Sequence, residues 1–281
     1  MHRDTLRALP LMLLAMALIP AGDAAGKLMG EAGVAPVFTA WSRFALGALL
    51  LVPFVLHLTP VRLFLDWRVW LRGLLIVGGI VSILTALRTE PMANVFGAFF
   101  VGPMVAYLLS AWLLRESFST ARVMLLAIGF CGVILVVKPG FGMTPGLGFA
   151  VLAGLFYGGY LTASRWLAEL ARPRAMLISQ LVVGALVLAP LGLPAMPDMT
   201  PRIGALTLAS ALGSMLGNLC LILALRMVPA TRLAPFVYTQ LIAATALGWA
   251  VFGVWPDALT LVGLLILLVS GLATLTLREG R

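Results

Sequence analysis

The strongest constraint on this chain is a series of long apolar runs separated by short connectors. Each run approaches the roughly 20 residues that an α-helix needs to cross a bilayer, and prolines and charges concentrate in the connectors. Only helices and closed barrels satisfy their backbone hydrogen bonds in lipid. A barrel would alternate apolar and polar residues, so the unbroken runs predict helices. Ten spans are predicted, at residues 9–29, 37–57, 70–88, 92–114, 121–138, 147–167, 175–193, 203–225, 232–253 and 258–277.

The composition indicates a membrane protein rather than a soluble one. Of the 281 residues, 62% are hydrophobic and only 10% are charged, whereas soluble domains carry about 25% charged residues. One soluble core of this size could not bury so much apolar surface. The net charge of +9 does not indicate nucleic acid binding, because the basic residues stand singly between apolar runs. We therefore predict an all-α membrane protein with no nucleic-acid partner.

The distribution of basic residues predicts the orientation of the spans. If the N-terminus is cytoplasmic, fourteen Lys and Arg residues fall in the inner segments, against four at the outer edges (Lys27, Arg88, Lys138 and Arg202). Cytoplasmic loops of membrane proteins are enriched in Lys and Arg. We therefore expect a multi-pass protein of the inner (plasma) membrane with both termini in the cytoplasm.

Two stretches of sequence recur at an almost constant distance. Residues 47–53 match residues 184–190 at five of seven positions, with an offset of 137, and residues 86–91 match residues 224–229 with an offset of 138. This predicts two related halves, residues 1–140 and 141–281, with five spans each. Because five is odd, the second half must be inverted in the membrane. Inverted repeats are typical of secondary carriers, whose substrate site lies between the halves near the midplane.

Several short motifs occur in an order that covers nearly the whole chain. They are Arg43 and Phe44 in the second span, Pro103 in the fourth, Arg115 and Glu116 at its inner end, and residues 129–133 in the fifth. In this order the chain resembles the EamA-type branch of the drug/metabolite transporter superfamily. The resemblance implies two inverted five-helix repeats and a secondary carrier that exports a metabolite. The ninth span departs from the pattern, because Leu241 stands where a proline matching Pro103 is expected.

Three charged residues are predicted inside the first two spans, where a charge is costly and is usually functional or paired. Asp23 and Lys27 share a helix face because they are four residues apart. Arg43 lies at the depth of Asp23, roughly 9 Å inside the outer edge. These positions permit an Asp23–Arg43 pair or an Asp23–Lys27 pair. The cluster either binds an ionised substrate or a coupling proton, or ties the two helices together as a structural ion pair.

Other polar residues are candidates for hydrogen bonds to a substrate. In the eighth span, Ser214 and Asn218 continue a stripe that begins at Ser210, although small polar residues also join membrane helices by packing. Packing is the favoured interpretation for Ser210. The remaining candidates are Asn94, Tyr160, Tyr238 and Gln240.

The two halves are predicted to differ in charge. Across the repeat, Tyr160 aligns with Asp23 and Gln180 aligns with Arg43. The cluster near the outer side is therefore expected to be charged in the first half and neutral in the second.

These features favour a secondary active transporter that moves a small metabolite by alternating access. The mixture of charged, amide and aromatic groups suits an amino acid or a similar zwitterionic or amphipathic compound, and the resemblance implies efflux. Protons are a candidate coupling ion, no cofactor or metal is expected, and no oligomeric state is predicted. The alternatives are a membrane-embedded lipid-modifying enzyme, which would need an acid/base or metal constellation, and a membrane scaffold subunit.

Overall fold

A computed structural model describes residues 3–55, 59–115, 120–228 and 233–274, and all regular structure within these ranges is helical. Glu116 lies outside the described residues. The first half contains α1 (Arg3–Glu31), α2 (Pro36–Val55), a 3₁₀ turn (Val61–Leu65), α3 (Trp67–Leu87), α4 (Met92–Phe99), α5 (Val101–Leu113) and α6 (Thr120–Val137). The second half contains α7 (Pro145–Trp166), α8 (Pro173–Gly192), α9 (Pro201–Met227), a 3₁₀ turn (Ala234–Tyr238), α10 (Thr239–Phe252) and α11 (Ala258–Ala273).

The lengths of the helices agree with a bilayer-spanning bundle. Within the described ranges, eight segments are long and apolar enough to cross a membrane. Two shorter apolar helices, Phe236–Phe252 and Ala258–Ala273, occupy the ninth and tenth predicted spans. The prediction of an all-helical membrane protein is confirmed. Most helix ends lie within four residues of the predicted span ends, but α1 begins six residues before its predicted span and α10 begins seven residues after the start of the ninth.

Helix starts follow from local sequence. Thr144, Thr200 and Asp257 each accept a hydrogen bond from the backbone N–H three residues further on, at 3.1–3.2 Å. Such side chains satisfy one of the N–H groups that the first turn leaves without a partner. Pro145 and Pro201 follow two of these caps, at the position where a missing N–H costs nothing.

The fourth predicted span is divided at Phe100 into α4 and α5. Pro103 has no N–H to donate to the carbonyl of Phe99, so the helix loses a hydrogen bond at this point. Gly154 of α7 lies against the freed carbonyl, because a Cβ on Gly154 would be 2.6 Å from the Phe99 oxygen. The proline therefore creates a break into which another helix packs closely.

The helices pack in pairs that correspond across the repeat. α1 packs on α9 and α3 packs on α7, while α2 packs on α8, α6 on α11 and α4 on α10. Exchanging the two halves converts the first pair into the second and leaves the other three pairs unchanged. The arrangement of the helices thus agrees with the repeat in the sequence.

Glycines bring several of these pairs into backbone contact. A Cβ on Gly213 of α9 would be 2.8 Å from the Cα of Gly22 in α1, and a Cβ on Gly132 of α6 would be 2.7 Å from the carbonyl oxygen of Gly263 in α11. Small residues allow such close approach between membrane helices, where packing rather than water exclusion drives association. Gly132 belongs to the 129–133 motif, which therefore has a packing role.

The close approach at Gly213 predicts a local loss of stability on substitution. Gly213→Ala should destabilise the fold by about 1–3 kcal/mol, because the new methyl group would force α1 and α9 apart. The measurement is the thermal unfolding midpoint (Tm) of purified protein in detergent. Gly204→Ala is the matched control, since it lies on the same helix and a Cβ there meets nothing within 4 Å. Equal Tm values for the two variants would contradict the packing argument.

An ion pair at the helix ends joins the two halves outside the spans. Lys138, after α6, donates to the carboxylate of Asp257, the residue before α11, with Nζ and Oδ2 2.5 Å apart. This hydrogen bond, with those from the backbone and hydroxyl of Thr260, lowers the pKa of Asp257 to about 2. The carboxylate favours the folded state while it is ionised.

Asp257 therefore contributes stability that depends on pH. A depressed pKa in the folded state means that the contribution is full above the ordinary value of 3.8 and is lost as the pH falls towards about 2. At pH 7, Asp257→Ala should cost about 1 kcal/mol as the loss of a helix cap. Asp257→Asn keeps the cap and should cost less. Tm values at pH 7 and at low pH test this, and an Asp257→Asn deficit that grows on acidification would contradict it.

Candidate substrate-binding site

A central cavity of about 130 Å³ lies between the two halves. It is lined from α1, α2, α3, α4, α7, α9, the Ala234–Tyr238 turn and α10. Five of the predicted site residues line it: Asp23, Arg43, Ser214, Asn218 and Gln240. Ligand pockets usually measure about 300–1,000 Å³, so the helices must separate before this cavity can hold a metabolite.

Asp23 and Arg43 form a buried ion pair in the cavity wall. Arg43 Nη1 lies 2.5 Å from Asp23 Oδ1, and each side chain is only 5% exposed. The guanidinium also donates to the carbonyl of Gly22 at 2.9 Å and to the hydroxyl of Ser210 at 2.8 Å. Of the two pairings that the sequence permitted, the structure contains Asp23–Arg43. Ser210 is fully buried between helices, as expected for a packing residue, and its hydroxyl also joins α9 to α2 through Arg43.

Lys27 lies away from Asp23 and outside the cavity lining. Its ammonium group donates to the carbonyls of Leu87 at 2.7 Å and Glu90 at 3.1 Å. The last carbonyls of a helix lack partners within the helix and carry partial negative charge, so a lysine at the end of α3 is well placed. Lys27 lines a separate pocket of about 370 Å³, together with Glu31 and Glu90. The expectation that Lys27 shares a site with Asp23 and Arg43 is therefore wrong.

Sequence reasoning did not identify Glu90 as a buried charge. Its residue is 7% exposed, and its carboxylate accepts a hydrogen bond from Thr144 at 2.5 Å. Glu90 lies in the short connector between α3 and α4. The hydroxyl of Thr144 caps α7 and also donates to Glu90. Nothing in the local sequence indicates this second contact, because the two residues are 54 positions apart.

The rest of the cavity wall is aromatic and amide. Phe99 and Tyr157 face each other with ring centroids 4.9 Å apart, and both line the cavity. On α9, Asn218 Nδ2 donates to the carbonyl of Ser214 at 2.8 Å. With Gln240, these groups offer stacking surfaces and hydrogen bonds beside one ion pair.

Two further candidates are placed outside the lining. The ring of Tyr238 packs on Phe100, with centroids 4.9 Å apart, because it fills the space left by Gly271. Asn94 of α4 is half-buried, and its Oδ1 atom is buried with no hydrogen-bond partner among the described residues. Neither residue is among the described side chains that line the cavity.

Tyr160 belongs to a second polar cluster. Its hydroxyl donates to Gln180 at 2.7 Å and accepts from Arg72 of α3 at 3.0 Å. The expectation that this cluster is neutral is wrong, because Arg72 from the first half brings a positive charge to Tyr160 and Gln180.

The polar groups of the site can bind a molecule through hydrogen bonds and ion pairs. Within the described ranges, no group of three or more His, Cys, Asp or Glu side chains is arranged to hold a metal ion. The arrangement can exchange hydrogen bonds and ion pairs with a bound molecule.

Solved structures contain the same fold. A crystal structure of another protein superposes with a TM-score of 0.66 at 21% sequence identity, covering 97% of this chain and 96% of that chain.

Curated relatives are similar along most of their length. The S-adenosylmethionine uptake transporter of Rickettsia bellii (strain RML369-C) is 28% identical over 271 residues, which is 92% of this chain and 90% of the relative. The S-adenosylmethionine uptake transporter of Rickettsia prowazekii (strain Madrid E) is 26% identical over 242 residues, which is 83% of this chain and 80% of the relative. The profile of the EamA-like transporter family matches twice, over residues 6–138 and residues 144–276. The chain belongs to the EamA-like transporter family.

Proposed function

We propose that this protein is a secondary carrier that takes up S-adenosylmethionine, or a closely similar zwitterionic metabolite, by alternating access. Family membership places the chain among transporters rather than enzymes. The relatives named for uptake favour import over the export that the sequence resemblance implied. The observation that carries the choice of substrate class is the Asp23–Arg43 ion pair in the wall of the central cavity.

A zwitterionic amino acid carries the two charges that are needed to replace the contact between Asp23 and Arg43. Its ammonium group can bind Asp23 while its carboxylate binds Arg43, so one buried pair is replaced by two. The number of buried charges of each sign stays balanced during this exchange, which avoids the large penalty of an unpaired charge in a low-dielectric site. A substrate with only one of the two groups would leave either Asp23 or Arg43 without a partner.

The remaining lining fits the other parts of S-adenosylmethionine. The molecule carries a sulfonium cation and an adenine ring in addition to its amino-acid group. Aromatic faces such as those of Phe99 and Tyr157 attract cations and stack on planar rings. Asn218 and Gln240 supply donors and acceptors for the edge of a base or for ribose hydroxyls. The lining thus offers a chemically matched partner to each part of this substrate.

Transport requires the ten predicted spans to act as two halves. We propose that all ten helices cross the plasma membrane, with the second half inverted and both termini in the cytoplasm. The symmetric helix pairs support this arrangement, because each half can then take the conformation of the other. Transport by such a carrier is driven by the concentration gradient of the substrate or by the gradient of a coupled ion. Uptake measured with and without a pH gradient tests protons as the coupling ion.

Loss of the Asp23 charge should strongly reduce this transport. Asp23→Asn should lower S-adenosylmethionine uptake by about tenfold or more, the factor that corresponds to about 1.4 kcal/mol of lost binding. The measurement is uptake of labelled substrate into liposomes containing purified protein, with Tm to confirm folding. Asp66→Asn is the matched control, because Asp66 pairs with Arg68 outside the cavity. Full uptake by Asp23→Asn would contradict the proposed role of the ion pair.

Substrate binding should stabilise the fold in a way that depends on both charged groups of the substrate. A ligand that binds only the folded state at 100 times its Kd adds about 2.7 kcal/mol to the free energy of unfolding. S-adenosylmethionine should therefore raise the Tm in detergent, and its decarboxylated form should raise it less. Asp23→Asn should remove most of the shift. A panel of other amino acids and nucleosides run beside it would reveal a different substrate, and equal shifts with both forms would contradict carboxylate recognition.

A further inference from the structure

Half of the sixteen residues that line the central cavity are related in pairs by the repeat. Four lining residues of the first half are matched by lining residues 138 positions later: Ile76 with Ser214, Ile80 with Asn218, Ile83 with Leu221, and Phe99 with Val237. Asp23 and Arg43 also line the cavity, but their partners 137 positions later, Tyr160 and Gln180, are not among the lining residues. The cavity therefore reaches one of two repeat-related clusters and is closed from the other.

The second cluster has the same construction as the first, with the guanidinium on the other helix. In the first cluster, Arg43 of α2 donates to Ser210 of α9 at 2.8 Å. At the equivalent positions, Arg72 of α3 donates to Gln180 of α8 at 2.9 Å. Arg72 and Ser210 are 138 residues apart in the sequence. The same interhelical contact is thus made twice, once in the cavity wall and once behind Tyr157.

The two clusters differ in how the positive charge is balanced. Asp23 neutralises Arg43, but Tyr160 stands at the position equivalent to Asp23. Arg72 donates only to neutral oxygens, which are those of Ser164 at 2.8 Å, Met176 at 3.0 Å, Tyr160 at 3.0 Å and Gln180 at 2.9 Å. Arg72 is 5% exposed, and its guanidinium forms no ion pair with a carboxylate among the described residues. A buried cation without a counter-ion is a strong site for an anion.

A short chain of aromatic rings separates this charge from the cavity. The guanidinium carbon of Arg72 lies 4.8 Å from the ring centre of Tyr160. Tyr160 in turn stacks on Tyr157, with centroids 5.9 Å apart and an angle of 27° between the rings. Because Tyr157 lines the cavity, the ring of Tyr160 stands between a lining residue and Arg72.

We propose that Arg72 is a second carboxylate-binding residue, which receives the carboxylate of the substrate when the carrier opens towards the membrane side where α3 begins. In that conformation the cavity borders Tyr160, Gln180 and Arg72, and the Asp23–Arg43 cluster is closed. The hydroxyl of Tyr160 and the amide of Gln180 hold the guanidinium until the carboxylate displaces them. This inference rests on the proposed function and names the group that would bind the same substrate in the other half of the cycle.

A purely structural role for Arg72 is the competing interpretation. Its four hydrogen bonds tie α3 to α7 and α8, as a clamp would. A clamp would affect all substrates and both membrane sides alike, because it acts on the stability of the bundle. A carboxylate-binding residue affects only substrates that carry a carboxylate, and only from one side.

The first experiment compares two substrates from the two sides of the membrane. S-adenosylmethionine and its decarboxylated form are offered to inside-out and right-side-out vesicles, and the ratio of their KM values is measured. In Arg72→Gln, the preference for the carboxylated form should fall by about tenfold or more, equivalent to about 1.4 kcal/mol, from the side where α3 begins and should persist from the other side. Arg68→Gln removes a charge one turn earlier, where it pairs with Asp66, and should keep both preferences. Loss of preference from both sides, or from neither, overturns the proposal.

A second measurement is independent of the identity of the substrate. In a background with Cys131 and Cys220 replaced by Ser, Gln180→Cys is treated with membrane-impermeant thiol reagents from the side where α3 begins. The position should be labelled, and an anionic reagent should react faster than a cationic one because of the charge on Arg72. Addition of Arg72→Gln should remove this difference.

Together, the two measurements show whether the second anion site or the proposed substrate is wrong. If Gln180→Cys is not labelled, or if anionic and cationic reagents react equally, the second site is refuted whatever the substrate is. If the charge-dependent labelling is observed but the wild type carries no S-adenosylmethionine, the proposed substrate is wrong and the second anion site is supported. Should Arg72→Gln fail to fold, Arg72→Lys serves in its place for the KM measurement, since it loses the planar fork that binds a carboxylate. In the labelling experiment, Arg72→Lys should keep the preference for the anionic reagent, because it keeps the charge.

Discussion

The ion pair between Asp23 and Arg43 is the interaction on which the rest of this structure depends. A charge inside a lipid-solvated bundle is costly unless it is paired and hydrogen-bonded, so the helices that carry these residues have little freedom in rotation or depth. Arg43 contacts Asp23 on α1 and Ser210 on α9 at the same time. One guanidinium thereby fixes three helices relative to each other. The resulting arrangement also leaves both charges at the edge of a cavity, where a molecule of matching charge can reach them.

The spans and the repeat followed from the sequence because hydrophobic length and constant offset are properties of the chain alone. The sequence also identified Arg43 as a possible partner of Asp23, since depth along a helix can be counted at a fixed rise per residue. The choice between Lys27 and Arg43 could not be made in this way. It depends on which face of α1 meets α9, and that is decided by Gly22 and Gly213 in contact.

Arg72 and Glu90 are two buried charges that the sequence did not reveal. Both stand close to predicted span ends, where a charge is normally solvated and is read as evidence of orientation. Each is nevertheless buried, at 5% and 7% exposure, because distant segments cover it. Such contacts have no local signature. The offset of 138 between Arg72 and Ser210 was the one clue available, and it becomes informative only once the contact between Ser210 and Arg43 is known.

Helix packing and hydrogen bonding divide the bundle into parts that stay together and parts that can separate. α1 meets α9 at Gly22 and Gly213, and α5 meets α7 at Gly102 and Gly158, with backbone against backbone. Such pairs cannot slide without clashes, so they move as units. Arg43 joins the first unit to α2 through side-chain hydrogen bonds, and Arg72 joins α3 and α7 to α8 in the same way.

Moving α2 away from α1 and α9 breaks hydrogen bonds to the buried guanidinium of Arg43, and moving α8 away from α3 and α7 breaks those to Arg72. Such a break is costly when no other acceptor replaces the lost one. A substrate carboxylate is a replacement acceptor that carries charge as well. In the proposed transport cycle, the loaded carrier therefore has a lower barrier to this separation than the empty one.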